Sequence, residues 1–291
     1  MATSTSQSTK KANNNAAADA RRQAIKGIIK KHLDAYFSST LGKQDDIVNI
    51  FTALIFHESR FNLNLPGILI PLIPGKKRMA NDYEESPVIQ NIRNDPNTTE
   101  IHKKRLLAGR RAMGLTQSMG WNHIKGASKK TGKCYMEILC KDDKMRADLI
   151  IAPEALASTT LEDFLLGEKN MDKMILAGLL VLEDKWKNCK PHKDGWKVGT
   201  YVFPLHISAA VAAYLGKGFS DDLGTTPLQY AATIVGGDMY KQANGASAPV
   251  IRDSAIQYAS TDGPTLALSS TTRVSTSGCK ESQSQPDRTK A

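Results

Sequence analysis

Residues 45–62 read DDIVNIFTALIFHESRFN, an apolar helical stretch that closes on a carboxylate. Asp45 or Asp46 can cap its start, and at about 100° per residue Ile47, Phe51, Leu54 and Ile55 gather on one face. On the same wheel Glu58 points along the middle of that face. An ionised carboxylate among apolar neighbours is costly, so desolvation is expected to keep a proton on it near neutrality, as a general acid requires. A buried glutamate paired with Arg or Lys as a structural ion pair is the competing reading, and this stretch alone does not separate the two.

Helical spacing recurs on both sides. Ile25, Ile28, Ile29, Leu33 and Tyr36 share one face, as do Met171, Met174, Ile175, Gly178, Leu179 and Leu182, while strand-like alternation is scarce. The expected fold class is therefore mainly α. Residues 63–109 break the rhythm with prolines at 66, 71, 74, 87 and 96 and the acidic stretch NDYEESP, which predicts an inserted flap or rim. Residues 1–19 and 260–291 are rich in small polar residues and poor in large apolar ones, too little to offset their ordering entropy, so the domain is expected over 20–259 with a tail at each end.

A chain of 291 residues with 41% apolar residues can fill a core, and its net charge of +10 suits an anionic partner. Six of those ten net charges lie in residues 1–31, and aromatic residues are few, a pattern that does not favour a dedicated nucleic-acid face. Cys134, Cys140, Cys189 and Cys279 lack the paired short spacings of a zinc site, and Cys189 with His192 in NCKPH reads as an ordinary loop. No metal and no cofactor are expected. The start lacks an apolar signal core, and the longest apolar run, LPGILIPLIP, is interrupted by prolines, so neither a secretory signal nor a membrane span is expected.

Two further segments carry chemistry. In RRAMGLTQSMGWN, Gly114 permits close backbone approach and Gln117 offers both a donor and an acceptor, which suits a sugar amide or hydroxyl. In ISAAVAAYLGKGF, small residues lead to Tyr214 at a helix end before two glycines. Alone, the first segment carries little weight, and the second reads as a core tyrosine with a glycine stop.

Taken in order, Glu58-Ser59, Gly114-Leu115-Thr116-Gln117 and Ala213-Tyr214-Leu215 resemble the Glu-Ser, Gly-Leu-Met-Gln and Ala-Tyr-Asn segments of the soluble-type lytic transglycosylases, relatives of goose-type lysozyme. The segment NMDKMILAGLLVL resembles the family helix that precedes the tyrosine motif, and Tyr230 loosely matches a further family tyrosine. The resemblance spans roughly residues 25–245 and departs from the family at Leu215, where an asparagine is usual, and in the stretch separating the first two motifs.

The resemblance implies a lysozyme-like helical fold that cleaves the β-1,4 bond between N-acetylmuramic acid and N-acetylglucosamine in peptidoglycan. It makes Glu58 the single acid and base, with the C6 hydroxyl of the substrate closing a 1,6-anhydro ring. Gly114, Ser59, Gln117 and Tyr230 would then line the glycan site, and the Tyr214 hydroxyl would hydrogen-bond Glu58, so that its removal lowers turnover more than binding. Two alternatives remain open: a hydrolase in which Asp82, Glu84, Glu85 or Asp95 positions water, and a non-catalytic component of a phage particle or conjugation apparatus. The partners implied are glycan strands, and virion or secretion-apparatus proteins contacted through the basic N-terminal arm; delivery to the wall by a phage particle is the expected localisation.

Overall fold

Apolar side chains three and four residues apart make the first element a helix. The computed structural model describes residues 19–43, 46–63, 66–68, 87–109, 111–128, 130–199, 201–215, 226–245, 256–259 and 265–268. Residues 19–32 are helical and pass into a π-helical turn, Leu33–Phe37. Ile25, Ile29, Leu33 and Phe37 are buried, whereas Ile28 and Tyr36 pack at the margin. The wider π turn shifts the buried face by one residue, so Phe37 takes the inward place expected for Tyr36.

The glutamate-bearing helix runs Ile47–Ser59 with Asp46 at its N-cap, although the Asp46 side chain makes no capping hydrogen bond. Ile47, Ile50, Phe51, Leu54 and Ile55 are buried, as the wheel predicts. The helix stops because Arg60 turns left-handed at φ 52°, and its N–H donates to the Phe56 carbonyl.

Met171–Asn188 forms an 18-residue helix whose middle, from Met174 to Glu183, is buried without interruption. The single-face expectation for it is too narrow: Leu176, Ala177, Leu180 and Val181 are enclosed too, because other elements cover several of its sides. His206–Tyr214 packs along this central helix, and Asp238–Asn244 and Pro227–Ile234 pack against the glutamate helix.

Two small antiparallel sheets flank these helices. In the first, β1 (Pro66–Ile68) pairs with β2 (Arg111–Met113), and β2 pairs with β3 (Ser118–Met119). Beside it Met113, Ile124, Ile151, Leu156, Leu161 and Leu165 make a second, smaller apolar cluster. The other sheet orders β4 (Lys190–His192), β5 (Gly195–Val198) and β6 (Tyr201–Phe203), and packs Trp196, Val198, Tyr201 and Phe203 on the main core.

The molecule is thus mainly helical with few short strands. Two of the segments set apart in the sequence carry regular structure. Within 63–109, the expected flap or rim, the described residues hold β1 and the helices Pro87–Asn94 and Glu100–Gly109. Pro66 opens β1 and Pro87 opens the first of these helices, where a missing N–H costs little, whereas Pro71 and Pro74 lie outside the described residues. The domain boundary at 259 falls inside a hairpin: β7 (Ile256–Ala259) pairs with β8 (Thr265–Leu268), and both strands contact the Pro227–Ile234 helix. The alternating apolar residues in TLAL were outweighed by their Ser/Thr-rich surroundings. Residues 1–18, 69–86 and 269–291, with most of both expected tails, lie outside the described residues.

Among the described residues no helix is long and apolar enough to cross a membrane. Glu183 shows what a structural buried glutamate looks like in this chain. It accepts from Thr40 at 2.7 Å and is bridged by Lys141 and Lys187, each at 3.0 Å. Burial pushes its carboxyl up, but the three donors outweigh burial and hold it below the usual glutamate range.

Candidate active site

Glu58 sits on the last turn of its helix, one residue before the end. The apolar stripe it continues has by then reached the edge of the core, so its side chain is 20% exposed rather than enclosed. No Lys or Arg pairs with it among the described residues. Its hydrogen-bond donor is the hydroxyl of Tyr230, which donates to Oε1. His57 Nδ1, buried and without a hydrogen-bond partner among the described residues, lies 3.7 Å from the same oxygen. The His57 ring stands edge-on to Tyr230, with 4.9 Å between centroids. Oε1 is therefore held by the Tyr230 hydroxyl with the His57 ring beside it but not bonded, and Oε2 accepts no hydrogen bond among the described residues.

Tyr230 is held as firmly as the carboxylate. It lies on the first turn of a helix with a reciprocal cap, in which Thr226 Oγ1 accepts from the Gln229 N–H at 3.3 Å and Gln229 Oε1 accepts from the Thr226 N–H at 2.8 Å. Pro227 at the first helical position adds a fixed φ, and the tyrosine ring is fully buried.

The Gly-Leu-Thr-Gln segment is the connection of the β2–β3 hairpin, closed by the Met113↔Ser118 pair. Gly114 takes φ 72°, where a Cβ would overlap the Met174 sulfur, so glycine is required both for conformation and for contact. The Leu115 N–H donates to Met174 Sδ at 3.3 Å, and Thr116 Oγ1 donates to the Met174 carbonyl at 3.3 Å. The turn is thereby bound to the central helix.

Tyr214 completes the link. Its hydroxyl donates to the Thr116 carbonyl at 3.3 Å, and burial, followed by the nearby Glu58 carboxylate, pushes its phenol well above the usual tyrosine range. It thus remains a donor at any physiological pH. The structure brings Glu58, Tyr214, Tyr230 and the 114–117 turn into one neighbourhood from segments far apart in the chain.

Backbone strain concentrates here. Among the described residues the non-glycine positions with positive φ are Arg60 at 52°, Phe61 at 61° and Gln117 at 48°. The first two follow Ser59 directly and the third ends the hairpin turn. Such conformations cost of order 1–3 kcal/mol each and persist where the surroundings fix them, often at functional sites.

Three roles expected from sequence change. The hydroxyl assigned to Glu58 belongs to Tyr230, because Tyr214 is already spent on the Thr116 carbonyl. Tyr230, expected to meet the glycan, is enclosed and acts on the carboxylate instead. Ser59, expected to hold substrate, is 2% exposed and donates back to the Ile55 carbonyl at 2.9 Å, as serines near helix ends often do. Gln117 is half-buried; its amide nitrogen donates to the Gly114 carbonyl at 2.8 Å, and its side-chain oxygen makes no hydrogen bond among the described residues. Leu215 packs partly buried against the core.

His57 was missed, although its place beside the glutamate in HES was a signal. Of the acidic residues considered for positioning water, Asp82, Glu84 and Glu85 lie outside the described residues. Asp95 accepts from Thr98 Oγ1 at 2.5 Å and from the Asn97 N–H at 2.9 Å as a local turn. Cys189 is a buried thiol, pushed up to about 11 by burial and donating to the Lys185 carbonyl.

Behind the hairpin, His123 bridges Ser118 Oγ and the Leu149 carbonyl, both at 2.8 Å, and burial pulls its imidazole down to about 4. The unfolded chain titrates near 6.5, so between these values it binds a proton that the folded state excludes. Stability is accordingly expected to fall as pH drops from about 6.5 to about 4, by up to about 3 kcal/mol. Urea unfolding of wild type and His123→Gln across that range checks this: the variant should be less stable at pH 7 and show a shallower dependence on acidity.

Comparison with protein-family models, with curated proteins and with solved structures returns no match.

Proposed function

We propose that the chain is a peptidoglycan lytic transglycosylase with a lysozyme-like helical domain and Glu58 as its single acid and base. The observation that carries this reading is the contrast between the two glutamates. Glu183 is neutralised by two lysines, whereas Glu58 is oriented by a buried tyrosine hydroxyl with one oxygen left for chemistry. The order of the Glu-Ser, Gly-Leu-Thr-Gln and Ala-Tyr segments supports the substrate class.

In the forward step Glu58 gives its proton to the glycosidic oxygen as the bond from the muramoyl C1 breaks. In the second step it takes the proton of the C6 hydroxyl while O6 bonds to C1, closing the anhydro ring and restoring the acid. No water is consumed and no second carboxylate is needed. The described hydrogen bonds and ion pairs of Glu58 are with Tyr230 and His57, and none is with another carboxylate.

Digestion of purified peptidoglycan followed by mass spectrometry tests the reading. Products ending in 1,6-anhydro sugars are expected; reducing ends would assign a hydrolase instead, and the absence of any product would assign a non-catalytic role.

The two tyrosines separate by kinetics. Tyr230→Phe removes the donor that orients the carboxylate and should lower kcat by about 10–100-fold with little change in KM. Tyr214→Phe releases the Thr116 carbonyl and loosens the turn that carries Gln117, so KM should rise more than kcat falls. Initial rates of soluble product release over a range of peptidoglycan concentrations measure both.

A further inference from the structure

Just beyond the hairpin turn lies a cleft of about 580 Å³ that the motifs leave unexplained. Its walls include Trp121, Asn122, Ser128, Thr131, Tyr135 and Ile138. Trp121 is 43% exposed and Ile138 57% exposed, two of the largest apolar groups that the described surface leaves in solvent. Exposed apolar groups facing one recess call for an occupant, and this size is that of a small-molecule or single-sugar site.

The walls are pre-formed. Trp121 sits in a 3₁₀ turn, Gly120–Asn122, closed by the His123 N–H on the Gly120 carbonyl at 3.0 Å, and His123 is itself anchored between Ser118 and Leu149. The opposite loop is tied by the Gly132 N–H on the Ser128 carbonyl at 2.9 Å and the Thr131 N–H on Ser128 Oγ at 3.3 Å. Glu137 then receives the Gly126 N–H at 2.8 Å and the Cys134 N–H at 2.5 Å. A rigid recess loses little freedom on binding.

The cleft shares the central helix with the carboxylate site as a support. Trp121 is four residues past Gln117. Tyr135 donates its hydroxyl to Asp184 on the central helix, the same helix whose Met174 carbonyl accepts from Thr116 in the hairpin turn. The chemistry of the walls is a flat indole face beside an amide, hydroxyls and an apolar side chain, which matches the apolar ring face, hydroxyls and acetamido methyl of an N-acetylated hexosamine.

We propose that the Trp121–Ile138 cleft is a saccharide-binding subsite that holds an N-acetylated hexosamine unit of the same strand that Glu58 cleaves. The proposal rests on the reading of Glu58 as the glycan-cleaving acid, and the probe is a β-1,4-linked N-acetylglucosamine tetramer. In the Glu58→Gln background, titration with the tetramer followed by tryptophan emission and by calorimetry should show binding. Trp121→Ala should weaken it about tenfold or more and remove the emission change. Ile138→Asp, a change at an exposed position, should weaken it as well, and circular dichroism establishes that both variants are folded.

Equal affinity with and without Trp121, or no binding of the tetramer to the parent protein, would overturn the subsite. If either occurs while the wild type still cleaves peptidoglycan, the subsite fails and the role of Glu58 stands. Binding that depends on Trp121 in a protein whose wild type cleaves nothing keeps a saccharide site and overturns the strand-cleaving reading on which the proposal rests.

Discussion

Glu58→Gln is expected to abolish release of soluble fragments from peptidoglycan, by at least about 10²–10⁴-fold, the range that a lost general acid or base commands. Glutamine keeps the shape of the side chain and an oxygen that can accept from Tyr230, but it has no proton to give and no lone base to take one back. Both steps of the proposed reaction use the same carboxyl, so the loss should appear in kcat, with glycan binding retained. The fold should survive, because the side chain is partly exposed and carries no lysine or arginine partner whose charge would be stranded. Thermal unfolding of the variant near the wild-type midpoint, together with absence of product, is the expected pair of observations. An active Glu58→Gln would end the assignment.

The same substitution at Glu183 should behave in the opposite way. There the carboxylate balances Lys141 and Lys187 in a nearly closed site. Its removal gives up the charge-assisted bonds from Lys141 and Lys187, which are 31% and 56% exposed and can turn to water, so the effect is a modest loss of stability and not of chemistry. The sequence presents both residues as acids within apolar helices, and helical periodicity alone cannot tell them apart. What distinguishes them is supplied by other segments: Thr40 and Lys141 for one, Tyr230 for the other.

That difference marks where local reading stops. The glutamate helix and its buried face follow from spacing, a local feature, whereas its end at Ser59 is set by the left-handed Arg60 and Phe61, which residue type does not announce. The Gly114 requirement was also visible, although its cause, contact with Met174, was not. The Tyr230 hydroxyl reaches Glu58 across 172 positions of sequence, and a tyrosine in an apolar helix carries no sign of which polar group it will meet. The family resemblance assigns this bond to Tyr214, which does reach the neighbourhood but serves the hairpin turn. The left-handed Gln117 was likewise hidden, since positive φ at a non-glycine residue is imposed by the two-strand register and not by residue type. Short strands such as β2 and β3 have too few residues for alternation to register, which is why the sheet bearing this turn was not foreseen.

Gly178 supplies the second large effect, because it joins the packing of the core to the geometry of the site. In the interior of an exposed helix, Gly→Ala usually gains about 1 kcal/mol. Here the sign should reverse. A Cβ at 178 would lie 2.5 Å from Thr116 Cγ2 and 2.8 Å from Phe51 Cζ, closer than real side chains approach. Neither neighbour can yield cheaply: Phe51 is fully buried on the glutamate helix, and Thr116 is fixed by its own bond to the Met174 carbonyl and by Tyr214 on its backbone oxygen. Overpacking of this kind costs about 1–3 kcal/mol, so Gly178→Ala should destabilise by about 1–2 kcal/mol net, and Gly178→Val by more. Since the displaced groups are the hairpin turn and the helix that carries Glu58, activity should fall further than the folded fraction does. Urea unfolding paired with initial rates measures both. A stabilised, fully active Gly178→Ala would mean that the turn does not rest on the central helix, and with it the mechanical connection between Thr116, Tyr214 and the carboxylate would be lost.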